Sequence, residues 1–388
     1  MGAKITTFKT TSRIIMGAGA VELLPQELKG LGGRRVLLVT DDGVMKAGIA
    51  ARVSSLLEGA RMRVSTYSAV PPEPPIETIE HCRAFAAESK ADCIVGLGGG
   101  SAMDVAKVIS VMLTNREPLA GMFGINLVKK RGVPHILIPT TAGTGSEVTP
   151  IAILTDEKEH LKKGIVSDYL FPEAALLDPT LTTTLPPFTT AASGMDALIH
   201  AVEAYTSVNA TPYTDMLAER AMQLIVANLR TAWANGANLE ARMRMLEGSL
   251  FAGQAFANAG VTAVHAFAYP LGGEFHLAHG VANSVMLCPV MRFNMISNIK
   301  KFARMAKILR AEHAHCSGSD KEIAVSGVRV LEELAVDVGL PMRLRDLNIP
   351  EDAIPRLSEG VMKVTRLLAN NPRQITLDDA NRIYREAY

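Results

Sequence analysis

The sequence predicts an α/β half built on a parallel sheet, followed by an all-helical half. Two patterns carry this expectation. Between Arg34 and about Asp178, short β-branched runs alternate with helical stretches, the rhythm of strands wound by crossover helices. Beyond the Thr-rich turn from Thr180 to Pro187, strand-like runs nearly vanish, and Ala, Leu, Met, Arg and Glu recur with helical spacing. A boundary is therefore expected near Leu185, giving domains at residues 1–185 and 186–388. A chain of 388 residues exceeds one typical domain, which agrees with that division.

The elements follow in order. Ile14-Ile-Met-Gly-Ala-Gly19 begins a strand or a hairpin. Arg35-Val-Leu-Leu-Val-Thr40 reads as a buried strand ending at Asp41-Asp42-Gly43, with a helix from Val44 to Leu57 and a strand from Met62 to Tyr67. The proline-rich run Pro71 to Pro75 breaks the chain before a helix from Ile76 to Glu88. Ala91 to Leu97 is the next strand and runs directly into Gly98-Gly99-Gly100-Ser101, after which Ala102 to Leu113 is helical. His135 to Pro139 is a further strand, ending in Thr140-Thr-Ala-Gly-Thr-Gly-Ser146. Lys158, Lys162 and Lys163 read by themselves as a solvated charged turn. In the helical half, Ser193 to Ser207 reads as an amphipathic helix.

Composition narrows the function classes. A net charge of +1 argues against nucleic acid or an anionic membrane as the main partner, and favours small neutral or mildly anionic ligands. Hydrophobic content of 48% with 20% charged residues suits a globular chain, and no run of about 18 apolar residues offers a membrane span. Cys82, Cys93, Cys288 and Cys316 are scattered without metal-ligand spacing, as small hydrophobes in a reducing compartment are. The N-terminus lacks a charged-then-apolar leader pattern, so a cytoplasmic location is expected.

Three groups of residues carry chemistry. Asp196 and His200 stand at i and i+4 on the predicted helix, one turn apart, as a chelating pair or as an ordinary hydrogen-bonded face. His265, His276 and His279 fall within one short apolar span; an Asp with three His is a mixed oxygen and nitrogen set suited to Fe(II) or Zn(II). His276, three before His279, is placed to share its helical face, either behind the ligands or facing substrate, or to serve as a surface or capping histidine. The tract His313-Ala-His315-Cys316 lies in a polar segment and reads as a helix end and loop.

The second group is Gly98-Gly99-Gly100-Ser101-Ala-Met-Asp104-Val-Ala-Lys107, which follows a strand and opens a helix. Glycines there let a backbone approach a diphosphate, and the free N–H groups of the helix start attract its charge; a tight turn that only caps the strand is the plainer alternative. The third is the hydroxyl-rich loop from Thr140 to Ser146, at the sheet edge where doubly wound folds bind ligands. Asp41, at the end of the first strand of that fold, is either a helix cap or a carboxylate poised for a ribose 2′-hydroxyl.

Gly194-Met-Asp196-Ala-Leu-Ile-His200-Ala-Val-Glu-Ala-Tyr205, with His265 followed fourteen positions later by His279-Gly280, resembles the two signatures of the iron-containing (group III) alcohol dehydrogenases. The resemblance spans nearly the whole chain. It implies a Rossmann-like NAD-binding domain joined to an all-α catalytic domain, a dehydroquinate synthase-like architecture. It further implies that Asp196, His200, His265 and His279 hold Fe(II) or Zn(II), and that Gly98, Gly99, Gly100, Ser101 and Asp104 cradle the NAD pyrophosphate. Thr140, Thr141 and Thr144 would line the phosphate and nicotinamide path, Lys162 would lie near the ribose, and Asp41 would select NAD over NADP.

The activity implied is reversible oxidation of a small primary alcohol, diol or hydroxyaldehyde, with a metal in an open coordination position easing loss of the hydroxyl proton and NAD accepting hydride. Cofactor on one domain and metal on the other would place the reaction in the cleft between them. A homodimer or higher homo-oligomer is expected. Tyr269 departs from the common family pattern, in which many members carry a histidine four residues after the one matching His265. A tyrosine there would orient the substrate oxygen or merely pack. The Tyr269-Pro270 pair also resembles hydroxyacid–oxoacid transhydrogenases of the same superfamily, in which NAD stays bound. A lyase or synthase like dehydroquinate synthase is disfavoured, because such enzymes show a different ligand set.

Overall fold

The computed structural model describes residues 5–158, 161–310 and 317–388. These divide into two compact units, Thr10–Leu185 on one hand and Pro186–Tyr388 with the described part of Met1–Lys9 on the other. The His313-Ala-His315-Cys316 tract lies outside the described residues.

In the first unit, β1 (Ile14–Met16), β2 (Arg35–Val39), β3 (Arg63–Tyr67), β4 (Cys93–Gly98), β6 (His135–Pro139) and β9 (Ala174–Leu177) form one sheet. Its order is β1-β9-β6-β4-β2-β3. Every pairing in it is parallel, with Leu38 opposite Val95 and Leu97 opposite Ile138. Successive side chains of β2 go to opposite faces. Leu37 and Val39 join Ile94 and Leu137 beneath α4 (Ile76–Glu88) and α5 (Gly100–Met112), while Val36 and Leu38 join Val95 and Ile136 beneath α1 (Leu24–Gly30) and α3 (Ile49–Gly59). Both faces are covered, which is why the strand is apolar throughout instead of alternating. Each such Leu or Ile, at 0% exposure, contributes about 1.5–3 kcal/mol relative to remaining in water.

The topology also creates a ligand crevice. From β2 the chain runs outward to β3, then returns to β4 on the other side of β2, so the connections diverge between β2 and β4. Ligands of doubly wound sheets bind at the carboxyl ends of strands where this occurs. Asp41 follows β2 there and Gly98 ends β4.

Some local expectations are corrected. The helix expected from Val44 to Leu57 is two helices, α2 (Asp42–Lys46) and α3, because Gly48 takes a left-handed conformation at φ 74 and turns the chain between them. Ile14–Met16 pairs in parallel with β9 and forms no hairpin. Lys162 and Lys163 lie in a strand, not in a charged turn. A second sheet, unread in the sequence, contains β5 (Gly124–Ile125), β7 (Ile151–Asp156) and β8 (Leu161–Val166), with β7 and β8 antiparallel. Alternation buries Ala152 and Leu154 of β7, and the lysines of β8 are tied to acids: Lys163 to Asp156 at 2.7 Å, Lys162 to Glu73 at 3.4 Å.

The described elements of the second unit are helical: α6 (Pro187–Thr206), α7 (Pro212–Ala234), α8 (Leu239–Ala259), α9 (Ala263–Phe275), α10 (His279–Asn294), α11 (Ile299–Leu309), α12 (Asp320–Asp337), α13 (Ile354–Lys363), α14 (Thr365–Leu368) and α15 (Leu377–Ala387). None of the described helices is long and apolar enough to cross a membrane. The amphipathic reading of Ser193 to Ser207 is corrected: α6 is buried on all sides from Gly194 to Thr206, because α7, α8, α9 and α10 all pack on it. Polar side chains on such a helix need partners inside the protein.

Candidate functional site

Asp196 and His200 lie one turn apart on α6, His265 is in the first turn of α9, and His279 is the first residue of α10. Gly280 explains the close approach of α10, since a Cβ at that position would run into the Ala192 carbonyl of α6. One ligand atom from each of the four side chains lies within 4.8 Å of the other three. Asp196 Oδ1 is 3.8 Å from His265 Nε2 and 3.7 Å from His279 Nε2, and Asp196 Oδ2 is 3.9 Å from His200 Nδ1. His200 stacks on Phe256 at 4.3 Å between ring centroids. Asp196, His200 and His265 are buried, whereas the His279 side chain is 29% exposed, so the cluster is accessible on that side.

The donors fit a divalent first-row metal. The amide nitrogen of the buried Asn283 stands 2.8 Å from Asp196 Oδ1, 3.2 Å from His265 Nε2 and 3.1 Å from His279 Nε2. An NH2 group has two hydrogens for those three partners, and turning the amide over would set its oxygen against the Asp196 carboxylate. Three acceptors thus share one amide, and a cation among them would answer that convergence. Burial alone would raise the Asp196 carboxyl, but His200, His279 and His265 around it and the Asn283 amide hold it down at about 2.

Two other candidates fall differently. The Tyr269 ring is 6.5 Å from the His279 ring, beside the cluster. His276 does not share a helical face with His279: it ends α9 in a left-handed conformation at φ 54, exposed, while His279 opens the next helix. The chain reverses between them, so spacing along one helix does not apply.

At the carboxyl ends of β2, β4 and β6 a cradle forms around the glycine run. A Cβ on Gly98 would lie 2.8 Å from Ala102 Cβ and 2.9 Å from Asp41 Oδ2, and one on Gly100 would lie 2.6 Å from Thr144 Cγ2. Gly99 faces Thr141, and the Thr140 N–H donates to the Gly98 carbonyl at 3.0 Å. The run thus meets Asp41 and Thr144 at distances only glycine permits and Thr141 at ordinary contact, with the N-terminus of α5 beneath it. Asp41 Oδ1 caps α2 by accepting from Val44 N at 3.0 Å, leaving Oδ2 toward Gly98. Lys162 reaches this edge through Glu73, whose N–H donates to Ser101 Oγ at 3.2 Å.

Asp104 is turned away into a buried network. Its Oδ1 accepts from Ser146 Oγ at 2.6 Å and its Oδ2 from Ile153 N at 2.9 Å. Lys107, at 0% exposure, donates to Ser146 Oγ at 2.7 Å, Thr149 Oγ1 at 3.1 Å and the Ile151 carbonyl at 2.8 Å, and so ties α5 to the loop that carries Thr141 and Thr144. Burial draws the Lys107 ammonium down to about 8 against the pull of Asp104 and Glu147, and raises the buried Glu147 carboxyl to about 7.

The family models for iron-containing alcohol dehydrogenase and for the C-terminal part of the Fe-containing alcohol dehydrogenase family match residues 11–179 and 190–388. A long-chain-alcohol dehydrogenase of Geobacillus thermodenitrificans is 44% identical over 96% of this chain and 94% of its own. The chain belongs to the iron-containing alcohol dehydrogenase family. Among solved structures of this family, a 1,3-propanediol oxidoreductase superimposes with a TM-score of 0.96 at 36% identity, covering 99% of this chain and 100% of that one. A sulfoacetaldehyde reductase from Bifidobacterium kashiwanohense, solved in complex with NAD+, matches with a TM-score of 0.87 at 30% identity over 99% of each chain. This iron-containing alcohol dehydrogenase is accordingly an NAD-dependent alcohol oxidoreductase with a divalent-metal site.

Sequence reasoning missed Asn283, Glu203, Lys107 and Ser146. Three of these had a readable signal: Glu203 extends the Asp196 and His200 stripe to i+7, Asn283 is i+4 from His279, and Lys107 stands in an apolar run.

Proposed function

We propose that the chain oxidises a small primary alcohol, a diol or a hydroxyaldehyde reversibly, with Asp196, His200, His265 and His279 as the ligands of Fe(II) or Zn(II) and with NAD on the glycine cradle. The observation that carries the reading is the convergence of one carboxylate and three imidazoles within 4.8 Å on buried helices. When bound, the metal supplies Lewis acidity that eases loss of the hydroxyl proton or polarises the carbonyl in the reverse direction.

The chain's own residues do the rest. Gly98, Gly99, Gly100 and Ser101, with Thr140, Thr141 and Thr144, hold the pyrophosphate and direct the nicotinamide, and Lys162 serves the ribose side through Glu73. Asp41 accepts from the ribose 2′-hydroxyl through Oδ2 and repels a 2′-phosphate. Asp104 acts at one remove, by anchoring Ser146 and Ile153. Tyr269 donates to the substrate oxygen beside His279. His276 is left with a surface or capping part by its exposure.

Free, buried Cys82, Cys93 and Cys288 support a reducing cytoplasm, and a homodimer or higher homo-oligomer is the proposed assembly, read by sedimentation velocity. The test of function is an NAD(H)-linked activity screen over short alcohols, diols, hydroxyacids and a chain-length series, after reconstitution with Fe(II) or Zn(II). Reduction of free NAD by a short alcohol or diol is the expected result. Failure with every alcohol, alongside exchange between a hydroxyacid and an oxoacid, would move the reading to the transhydrogenase, which Tyr269-Pro270 resembles.

A further inference from the structure

We infer that Glu203 is a positioning residue that fixes the tautomer and aim of His265, and thereby sets the affinity of the four-residue cluster for its divalent metal. The inference rests on the metal reading above. Glu203 lies on α6 at i+7 from Asp196 and i+3 from His200, and its side chain is 0% exposed. Its carboxylate is directed at the start of α9. Its Oε1 accepts from Thr262 N at 3.1 Å, Thr262 Oγ1 at 2.7 Å and Val264 N at 2.7 Å, while its Oε2 meets His265 Nδ1 in a close pair.

These contacts have two consequences. First, α9 has no side-chain cap from its own N-cap residue Thr262, so its opening N–H groups are satisfied by a carboxylate from α6. The helix that carries His265 is thereby pinned to the helix that carries Asp196 and His200. Second, a carboxylate offers only lone pairs, so the proton of the His265 ring must sit on Nδ1. The lone pair is then left on Nε2, the nitrogen that faces Asp196 Oδ1 at 3.8 Å. Hydrogen bonding at the far nitrogen is what orients a metal-binding imidazole and raises its basicity.

Glu203→Gln separates this role from packing. The Gln carbonyl still accepts from Thr262 and Val264, but its NH2 donates to His265 Nδ1 and drives the ring proton to Nε2, where it blocks ligation. Metal-stripped protein is titrated with Zn(II) alone, or anaerobically with Fe(II) alone, against a competing chelator. Glu203→Gln is expected to bind about 10–100-fold more weakly than wild type, with circular dichroism and NAD affinity unchanged. The 15N shifts of His265 should show the exchange of protonated nitrogen, a signature that loss of packing does not produce. Glu203→Asp, which keeps the carboxylate, should recover part of the affinity, and it carries the test by the same titration if the Gln variant does not fold. A folded Glu203→Gln with wild-type metal affinity and an unchanged His265 tautomer would overturn this inference alone. Wild-type protein that takes up no divalent metal would overturn the metal reading and the inference with it.

Discussion

The metal cluster and the Lys107 network are both buried gatherings of polar side chains, and they resolve their charge in opposite ways. Around Asp196 a single amide donor, Asn283, faces three acceptors, and against burial the neighbouring imidazoles and that amide hold the carboxylate ionised, down to about 2. The network beneath the glycine cradle contains its own cation: Lys107 sits among Asp104, Ser146, Thr149 and the Ile151 carbonyl, drawn down to about 8 by burial. A polar cluster closed by an internal lysine serves as scaffold, whereas one that converges acceptors is built for a cation from outside.

The largest expected effect tests the open cluster. Asp196→Ala removes the carboxylate that neutralises a divalent charge, so turnover should fall by about three orders of magnitude or more and bound metal should be lost. NAD binding, followed by fluorescence, should be unchanged because the cradle belongs to the other unit. Full activity in metal-free Asp196→Ala would remove the distinction between the two regions.

Next comes the closed network. Glu147 has its folded carboxyl raised from 4.5 to about 7 by burial, so its contribution to stability is fully present below about pH 4.5 and is lost as pH rises through about 7. Glu147→Gln should abolish that part of the pH dependence, at most about 3 kcal/mol, in urea midpoints compared between pH 4.5 and 8. Parallel curves for wild type and variant would show that Glu147 ionises freely.

The cradle is sharpened by two substitutions. Gly100→Ala places a Cβ 2.6 Å from Thr144 Cγ2 and should weaken NAD binding by about 5–150-fold, as a strain of order 1–3 kcal/mol implies. Adding Thr144→Ser removes the offending methyl and should restore much of the affinity in calorimetry, with metal content normal throughout. Asp41→Gly should relax the preference for NAD over NADP by about tenfold in kcat/KM and cost only about a few tenths of a kcal/mol of stability through the lost α2 cap, since glycine is itself a tolerated cap. A wild type that prefers NADP would show that Asp41 is a cap alone.

The smallest effect concerns Tyr269. Tyr269→Phe should lower turnover several-fold without metal loss. A phenol titrates near 10 and an imidazole near 6.5, so Tyr269→His should add an ionisation near neutrality to the pH–rate profile. Unchanged kinetics in both variants would make Tyr269 a packing residue.

What could be read from the chain follows from the kind of signal each region carries. Asp196 and His200 share a helical period, and Gly98 to Gly100 follow a strand into a helix, so local pattern was enough to single them out. Lys107 was hidden because a lysine in a helix ordinarily faces water; the apolar run of Val105, Ala106, Val108 and Ile109 around it was the sign of a helix buried on all sides. The same bias cast α6 as amphipathic, although its Ala, Leu, Ile and Val residues leave no polar face once Asp196, His200 and Glu203 are placed inside. His276 was misread because its left-handed backbone ends the helix at a residue with no sequence mark of a break. The β7 and β8 pair was missed because its strands carry half-buried lysines and its pairing is non-local to the main sheet.

The four converging side chains come from widely separated chain positions: His265 stands 69 positions after Asp196, and His279 83 positions after it. An ion held there would act as a staple across loops of that length. It would tie α6 to α9 and α10 and resist the loop-closure entropy that opposes their assembly, which grows only slowly with loop length. The melting temperature of this chain should therefore rise with the concentration of free metal, as for any ligand that binds the native state alone.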